Sequence, residues 1–200
     1  MAPGKRKSAN DMKQAIKDIF EASIEAKKKF FLDEKNIALL EEAARAIMDC
    51  YDSGGKVLIF GNGGSAADSQ HMAAELMARF EKERKSLPCV ALSTNTSILT
   101  ALSNDYDFTI TFSRQIEGLA AEGDVAIAIS TSGNSANVIK GAEKARKAKM
   151  KVIALAGRDG GKLAALADIP IVVDSPNTAR IQEVHEVIIH ALCKVVEDSV

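Results

Sequence analysis

The chain has 200 residues, enough for one domain with an appendage, and 46% of them are hydrophobic, ample for a buried core. A formal net charge of −1 gives no global pull toward nucleic acid or an anionic membrane. With 4% aromatics and no tryptophan, stacking on bases is a poor mode of binding.

Cys50, Cys89 and Cys193 are far apart and odd in number. They form neither a disulfide framework nor a CxxC metal pattern, which fits a reducing, cytoplasmic setting. Met1 to Asn10 is short, basic and polar, so it reads as a flexible tail without the apolar run of a signal peptide. No stretch is apolar for long enough to span a bilayer.

From Asp11, apolar residues at Met12, Ile16, Ile19, Phe20, Ile24, Phe30 and Phe31 recur at helical spacing. A second helix is expected over Glu34 to Asp52, with an inner face of Ile37, Leu39, Leu40, Ala43, Ala44, Ile47 and Met48, ended by Ser53-Gly54-Gly55. Residues 11–52 thus form an N-terminal helical arm that lies on its own domain or on another subunit. The second is favoured here, because a long amphipathic arm is a ready oligomer contact.

The chain then alternates. Strands are expected at Val57 to Phe60, Cys89 to Leu92, Val125 to Ile129, Val152 to Leu155 and Ile169 to Val173. Helices are expected at Ser65 to Phe80, Thr96 to Leu102, Phe108 to Ala120, Ala136 to Ala148 and Ala179 to Glu197, with a short helical turn at Leu163 to Leu166. Asn104-Asp105-Tyr106-Asp107 reads as a polar loop. Short apolar strands alternating with helices predict an α/β fold: a doubly wound, five-stranded parallel sheet flanked by helices. No linker or tandem repeat interrupts it, so residues 1–200 read as a single domain.

The stretch Lys56 to Phe80 organises the chain. An apolar strand enters Gly61-Asn62-Gly63-Gly64-Ser65 and leaves as a helix, the order of parts that cradles an anion. The loop lacks the lysine of a P-loop. Gly61, Gly63 and Ala66 fit the looser dinucleotide pattern, but the second strand ends in Leu92-Ser93-Thr94-Asn95, with no carboxylate for a ribose. A tight structural turn, or a site for a small anionic or polyhydroxyl ligand, remains. Ser130-Thr131-Ser132-Gly133-Asn134-Ser135 follows the third strand and opens a helix. N-capping accounts for one hydroxyl there, and phosphate binding accounts for them all.

His71 and Glu75 stand four residues apart on the helix after the glycine loop, on one face. They form either a reactive pair or a solvated ion pair. The last helix adds Gln182, Glu183, His185, Glu186 and His190. Gln182 and His190 are about 12 Å apart along the axis, so long side chains can meet midway. Two imidazoles and a carboxylate are a usable zinc set. His185 lies on another rim and reads as a surface or capping residue.

Together these residues resemble a known family. The glycine loop, His71 with Glu75, the serine–threonine loop and Arg180-Ile181-Gln182-Glu183 with His190 look like the phosphoheptose isomerases of the sugar isomerase (SIS) domain family, over residues 12 to 198. The resemblance implies a homotetramer, one Zn2+ per subunit, and conversion of sedoheptulose 7-phosphate to D-glycero-D-manno-heptose 7-phosphate for lipopolysaccharide or other bacterial glycans. It implies that Ser130, Thr131, Ser132 and Ser135 hold the phosphate. Asn62, Gly63, Gly64, Ser65, Glu75, Asn104, Asp105 and Gln182 would line the substrate. His71, Glu75, Gln182 and His190 would surround the zinc, and Glu75 and His190 would be the acid–base pair.

Ala66-Ala67 stands where better-known members carry more polar residues, which bears on fine substrate preference. The same resemblance supplies a rival, a non-catalytic tetrameric relative that binds the bacterial replication initiator. Ser65-Ala66-Ala67 and the segment from Arg84 to Leu92 look somewhat like it, but that relative lacks the equivalents of Glu75 and His190. A sugar-phosphate sensor of this family would carry a fused DNA-binding domain, for which the chain has no room.

Overall fold

The structure, a computed structural model, describes residues 8–200. Residues 1–7 of the expected tail lie outside the described residues, and its last two belong to a helix. Ser8 caps the first helix in a reciprocal capping box with Asp11, so Ala9 and Asn10 are already helical. In chain order the elements are α1 (Ala9–Phe31), α2 (Glu34–Asp52), β1 (Val57–Gly61), α3 (Gly64–Met77), β2 (Cys89–Ala91), α4 (Thr96–Asp105), α5 (Thr111–Leu119), β3 (Val125–Ser130), α6 (Ala136–Lys147), β4 (Lys151–Gly157), α7 (Gly161–Leu166), β5 (Ile169–Val173) and α8 (Thr178–Glu197). A short 3-10 turn at Phe108–Ile110 leads into α5.

The five strands form one parallel sheet in the order β2-β1-β3-β4-β5, the expected doubly wound arrangement. Strands β1 and β3 are buried at every position because helices cover both faces. Val57, Ile59, Ile127 and Ile129 pack with α2, α3 and α8 on one side. Leu58, Phe60, Ala126 and Ala128 pack with α5, α6 and α7 on the other.

The leading helices divide their work. Helix α2 buries Leu40, Ala43, Ala44, Ile47 and Cys50 in the core of its own chain. That face of α2 therefore lies on its own domain, the other of the two expected placements. Helix α1 buries Phe30 and Ser23, and leaves Met12, Ile16, Ile19, Phe20 and Ile24 at least 49% exposed.

Two of the boundaries that differ from expectation have a clear cause. Helix α3 stops at Met77 rather than Phe80, because a buried carboxylate captures the next amides. Glu197 accepts from the N–H groups of Phe80, Glu81 and Lys82 at 2.8, 2.7 and 2.9 Å. Arg84 pairs with Glu197 and donates to the carbonyls of Glu75 and Leu76, satisfying the helix end. Helix α4 instead runs on through Asn104 and Asp105. Asn95 caps it, and the Thr100 and Ser103 hydroxyls bond back to the Thr96 and Leu99 carbonyls, so these polar residues do not break it.

Candidate active site

The sheet order fixes where a ligand binds. Strands β1 and β3 are neighbours, with Gly61 beside Ile129, and their connections leave in opposite directions. In open sheets of this kind a ligand is expected at that switch point, beyond the carboxyl ends of the strands. The glycine loop leaves β1 there and the serine–threonine loop leaves β3 beside it.

In the glycine loop, Gly64 lies under a side chain of the last helix. The Gln182 side-chain amide of α8 occupies the space a Cβ at Gly64 would fill. Asn62 forms a reciprocal amide pair with Asn137 of α6, each Nδ2 donating to the other's Oδ1 at 2.8 Å. The two loops are thereby tied to each other. Ser65 is buried in the first turn of α3.

The serine–threonine loop turns at Gly133, whose φ of +64° and contact with the Gly160 backbone admit no side chain. Ser135 occupies the N-cap position of α6, yet its hydroxyl makes no capping bond. It faces Ser130 Oγ at 3.1 Å, and Ser132 Oγ approaches the same atom at 3.4 Å. Three hydroxyls thus converge in front of the free amides of a helix start, which suits an anion far better than capping does. An open cleft of ≈ 730 Å³ adjoins Ser132 and Asn134 and is lined also by Arg158, Asp159 and Asp174.

On the α3 side, helices α3 and α8 run side by side. His71 Nε2 lies 3.0 Å from Glu75 Oε1, and His71 Nδ1 lies 2.6 Å from Glu186 Oε1. His190 Nε2 lies 3.4 Å from the same Glu186 oxygen, and its ring meets that of His71 edge-on at 5.0 Å. One donor atom each from His71, Glu186 and His190 lies within 4.8 Å of the others, a group able to hold a metal ion. Asp68, one turn before His71, has a buried carboxylate oxygen without a partner. Burial, then the Glu186 charge, pushes its pKa up to about 6, with His71 opposing.

A family model described as "SIS domain" matches residues 9–157. The chain belongs to the SIS domain family. Among the relatives of this SIS domain, the phosphoheptose isomerase of Helicobacter hepaticus is 50% identical over 188 residues, covering 94% of each chain. That of Aquifex aeolicus is 51% identical over 189 residues, 94% of this chain and 98% of the relative. The solved structure of phosphoheptose isomerase GmhA from Neisseria gonorrhoeae superposes with a TM-score of 0.88 at 45% identity, over 94% of this chain and 100% of that one. A phosphoheptose isomerase from Francisella tularensis gives a TM-score of 0.85 at 36% identity, over 96% and 100%.

Within this SIS domain the expected residues fall into three groups. Asn62, Gly63, Gly64 and Ser65 lie in or at the end of one loop, and Ser130, Thr131, Ser132 and Ser135 in the loop beside it. His71, Glu75 and His190 share the α3–α8 face, with Gln182 at its upper end over Gly64. Asn104 and Asp105 stand apart: they are exposed in the last turn of α4 and bond to each other at 2.8 Å. Glu75 contacts His71 but is not in the three-residue donor group, where Glu186 takes its place.

Sequence reasoning named Glu186 without giving it a role, although it lies midway between Gln182 and His190, where those side chains were expected to meet. It also misplaced His185. That imidazole is fully buried, not on the surface, and its Nε2–H donates to the Ala156 carbonyl at 3.1 Å. Burial holds its pKa down at about 4, against the pull of that bond.

Proposed function

We infer that this SIS domain is a phosphoheptose isomerase, an aldose–ketose isomerase that converts sedoheptulose 7-phosphate to D-glycero-D-manno-heptose 7-phosphate. Relatives at about half identity over 94% of the chain support it. The observation that carries it is geometric. A loop of converging hydroxyls with free helix amides and an imidazole–carboxylate pair grow from the adjacent strands β3 and β1.

The reaction moves one proton from C1 to C2 and another from the C1 hydroxyl to the C2 carbonyl oxygen, through an enediol. Ser130, Thr131, Ser132 and Ser135 bind the phosphate and fix the far end of the chain, supplying binding energy remote from the reacting carbons. Glu75 is the base that takes the C1 proton, and His190 the acid that protonates the carbonyl oxygen. The base then returns its proton to C2 as the C1 hydroxyl gives up its own to the deprotonated His190. Asn62, Gly63, Gly64, Ser65, Gln182, Asn104 and Asp105 line the sugar in this reading.

Two imidazoles with carboxylates in reach fit the donor preference of zinc, and the convergence of His71, Glu186 and His190 within 4.8 Å supports a metal there. We assign His71, Glu75, Gln182 and His190 to one Zn2+ per subunit. Bound there, zinc supplies Lewis acidity toward the substrate carbonyl.

The exposed apolar stripe of α1 supports a homotetramer in which that stripe is covered by another subunit. No helix among the described residues is long and apolar enough to cross a membrane. A single catalytic domain working in the cytoplasm, feeding heptose to lipopolysaccharide or another glycan, completes the proposal. Nothing in the helix-pair geometry favours the non-catalytic scaffold. The deciding experiment is to incubate purified protein with sedoheptulose 7-phosphate and follow the aldose by NMR. Absence of turnover together with binding of the replication initiator would replace this reading with the scaffold.

A further inference from the structure

Glu186 lies outside the expected site residues, and the geometry gives it a specific task. It occupies the middle of the stripe Gln182–Glu186–His190, one turn from each, on the face of α8 turned to α3. Its Oε1 is 2.6 Å from His71 Nδ1. At the other edge of the same ring, Nε2 is 3.0 Å from Glu75 Oε1. The imidazole therefore has a carboxylate at each nitrogen.

Both contacts are within hydrogen-bond distance, and the shorter one indicates which nitrogen carries the proton. Two donors on one tetrahedral zinc, each at about 2.0–2.1 Å, stand roughly 3.3 Å from each other. The 2.6 Å separation between Glu186 and Nδ1 is shorter than that, and is the length of a direct charge-assisted hydrogen bond. The Nδ1–H is thus committed to Glu186, and the Nε2 lone pair is left on the Glu75 side. Metal-binding histidines commonly donate their second ring N–H to a carboxylate, which fixes the tautomer and ring orientation and raises basicity.

We propose that Glu186 is a positioning residue of the metal site: it holds His71 by the Nδ1–H so that Nε2 is presented to a divalent cation between α3 and α8. The inference rests on the reading of His71 as a metal ligand. The competing account is a partly exposed ion pair between neighbouring helices, which contributes little to stability and nothing to metal binding.

The test uses the full chain, stripped of metal and titrated with Zn2+ against a competing chelator. The absorption spectrum of the Co2+-loaded protein is recorded beside it. Glu186→Gln should still bind one metal per chain, with the Co2+ spectrum of the wild type, but about 10–100-fold more weakly. Glu186→Asp keeps the charge and withdraws it from Nδ1, so it should also weaken binding, which separates positioning from net charge. The thermal midpoint of the metal-free protein should not move. Unchanged affinity in Glu186→Gln overturns the proposal, as does an altered Co2+ spectrum, which would make Glu186 itself a ligand. Failure of the wild type to bind any metal removes the underlying metal reading and this inference with it. An indifferent Glu186→Gln in a protein that does bind removes the inference alone.

Discussion

Replacing Ser135 by Ala separates a phosphate loop from a helix cap. An N-cap serine ordinarily loses about 1 kcal/mol of stability on this change, because its hydroxyl holds an amide of the first turn. Here Ser135 makes no such bond, and its hydroxyl faces Ser130 instead. Stability should therefore fall by well under ~1 kcal/mol, moving the melting midpoint by less than about 2–4 °C for a chain of this size. Loss of one hydrogen bond to a charged phosphate costs about 1.5–3 kcal/mol. At 1.4 kcal/mol per factor of ten, that is roughly a 10–150-fold weaker hold on substrate. KM for sedoheptulose 7-phosphate, from initial rates followed by NMR, should rise by that order, and kcat should fall by less. Ser132→Ala should do likewise, with an added turn cost, because Ser132 Oγ also accepts the Asn134 amide at 3.2 Å. An unchanged KM in both variants, with a lowered melting midpoint for Ser135→Ala, would show that the loop merely starts its helix.

Three other predictions follow from the same geometry. Glu75→Gln and His190→Gln should each lower kcat by about 10²-fold or more with fold and oligomer size kept, and the double variant should be little worse than the poorer single; wild-type turnover in both singles would end the acid–base assignment. Deleting residues 1–30 removes most of α1, so light scattering should report aggregation or smaller species, whereas a stable full-length monomer would count against subunit contact through α1. His185 titrates near its ordinary 6.5 when unfolded and near 4 when folded, so below pH 6.5 the unfolded chain binds the extra proton and stability falls as pH drops toward 4. At pH 5 that amounts to ~2 kcal/mol; His185→Gln should flatten this part of the acid slope in urea melts, and an unaltered slope would refute it.

The sheet was legible because its strands are continuous apolar runs and its helices are amphipathic, so period and length separate them cleanly. Boundaries failed where tertiary contacts intervened. No local pattern in Met77 to Lys82 shows that a carboxylate more than a hundred residues away, Glu197, will take its amides. The polar run at Asn104 and Asp105 looked like a loop because propensity cannot see Asn95 capping the helix before it or hydroxyls bonding back within it. The loops of the candidate site were legible because their chemistry is written in consecutive residues. The roles on α8 were less so. A helix face is visible in sequence, but not which neighbour it meets, so His185 was placed on the surface and Glu186 went without a task although it stood between its expected partners.

If the proposed roles hold, the reciprocal pair of Asn62 and Asn137 joins binding to chemistry. The hydroxyl loop sits at the end of β3, while Glu75 and His190 lie on α3 and α8, which cover one face of the sheet. Phosphate binding there gains rate only if the reacting carbons are then held over the acid–base groups, since a 1 Å error in such placement costs about 10²-fold. Asn137 is 2% exposed and rooted in the first turn of α6, directly behind Ser135. Its amide grips Asn62 in the loop that begins α3. Displacing one loop against the other would break two bonds at once, a loss of about 1–3 kcal/mol. In this reading the two loops therefore move as one body, and energy gained at the phosphate is spent on aligning C1 and C2 rather than on assembling the site.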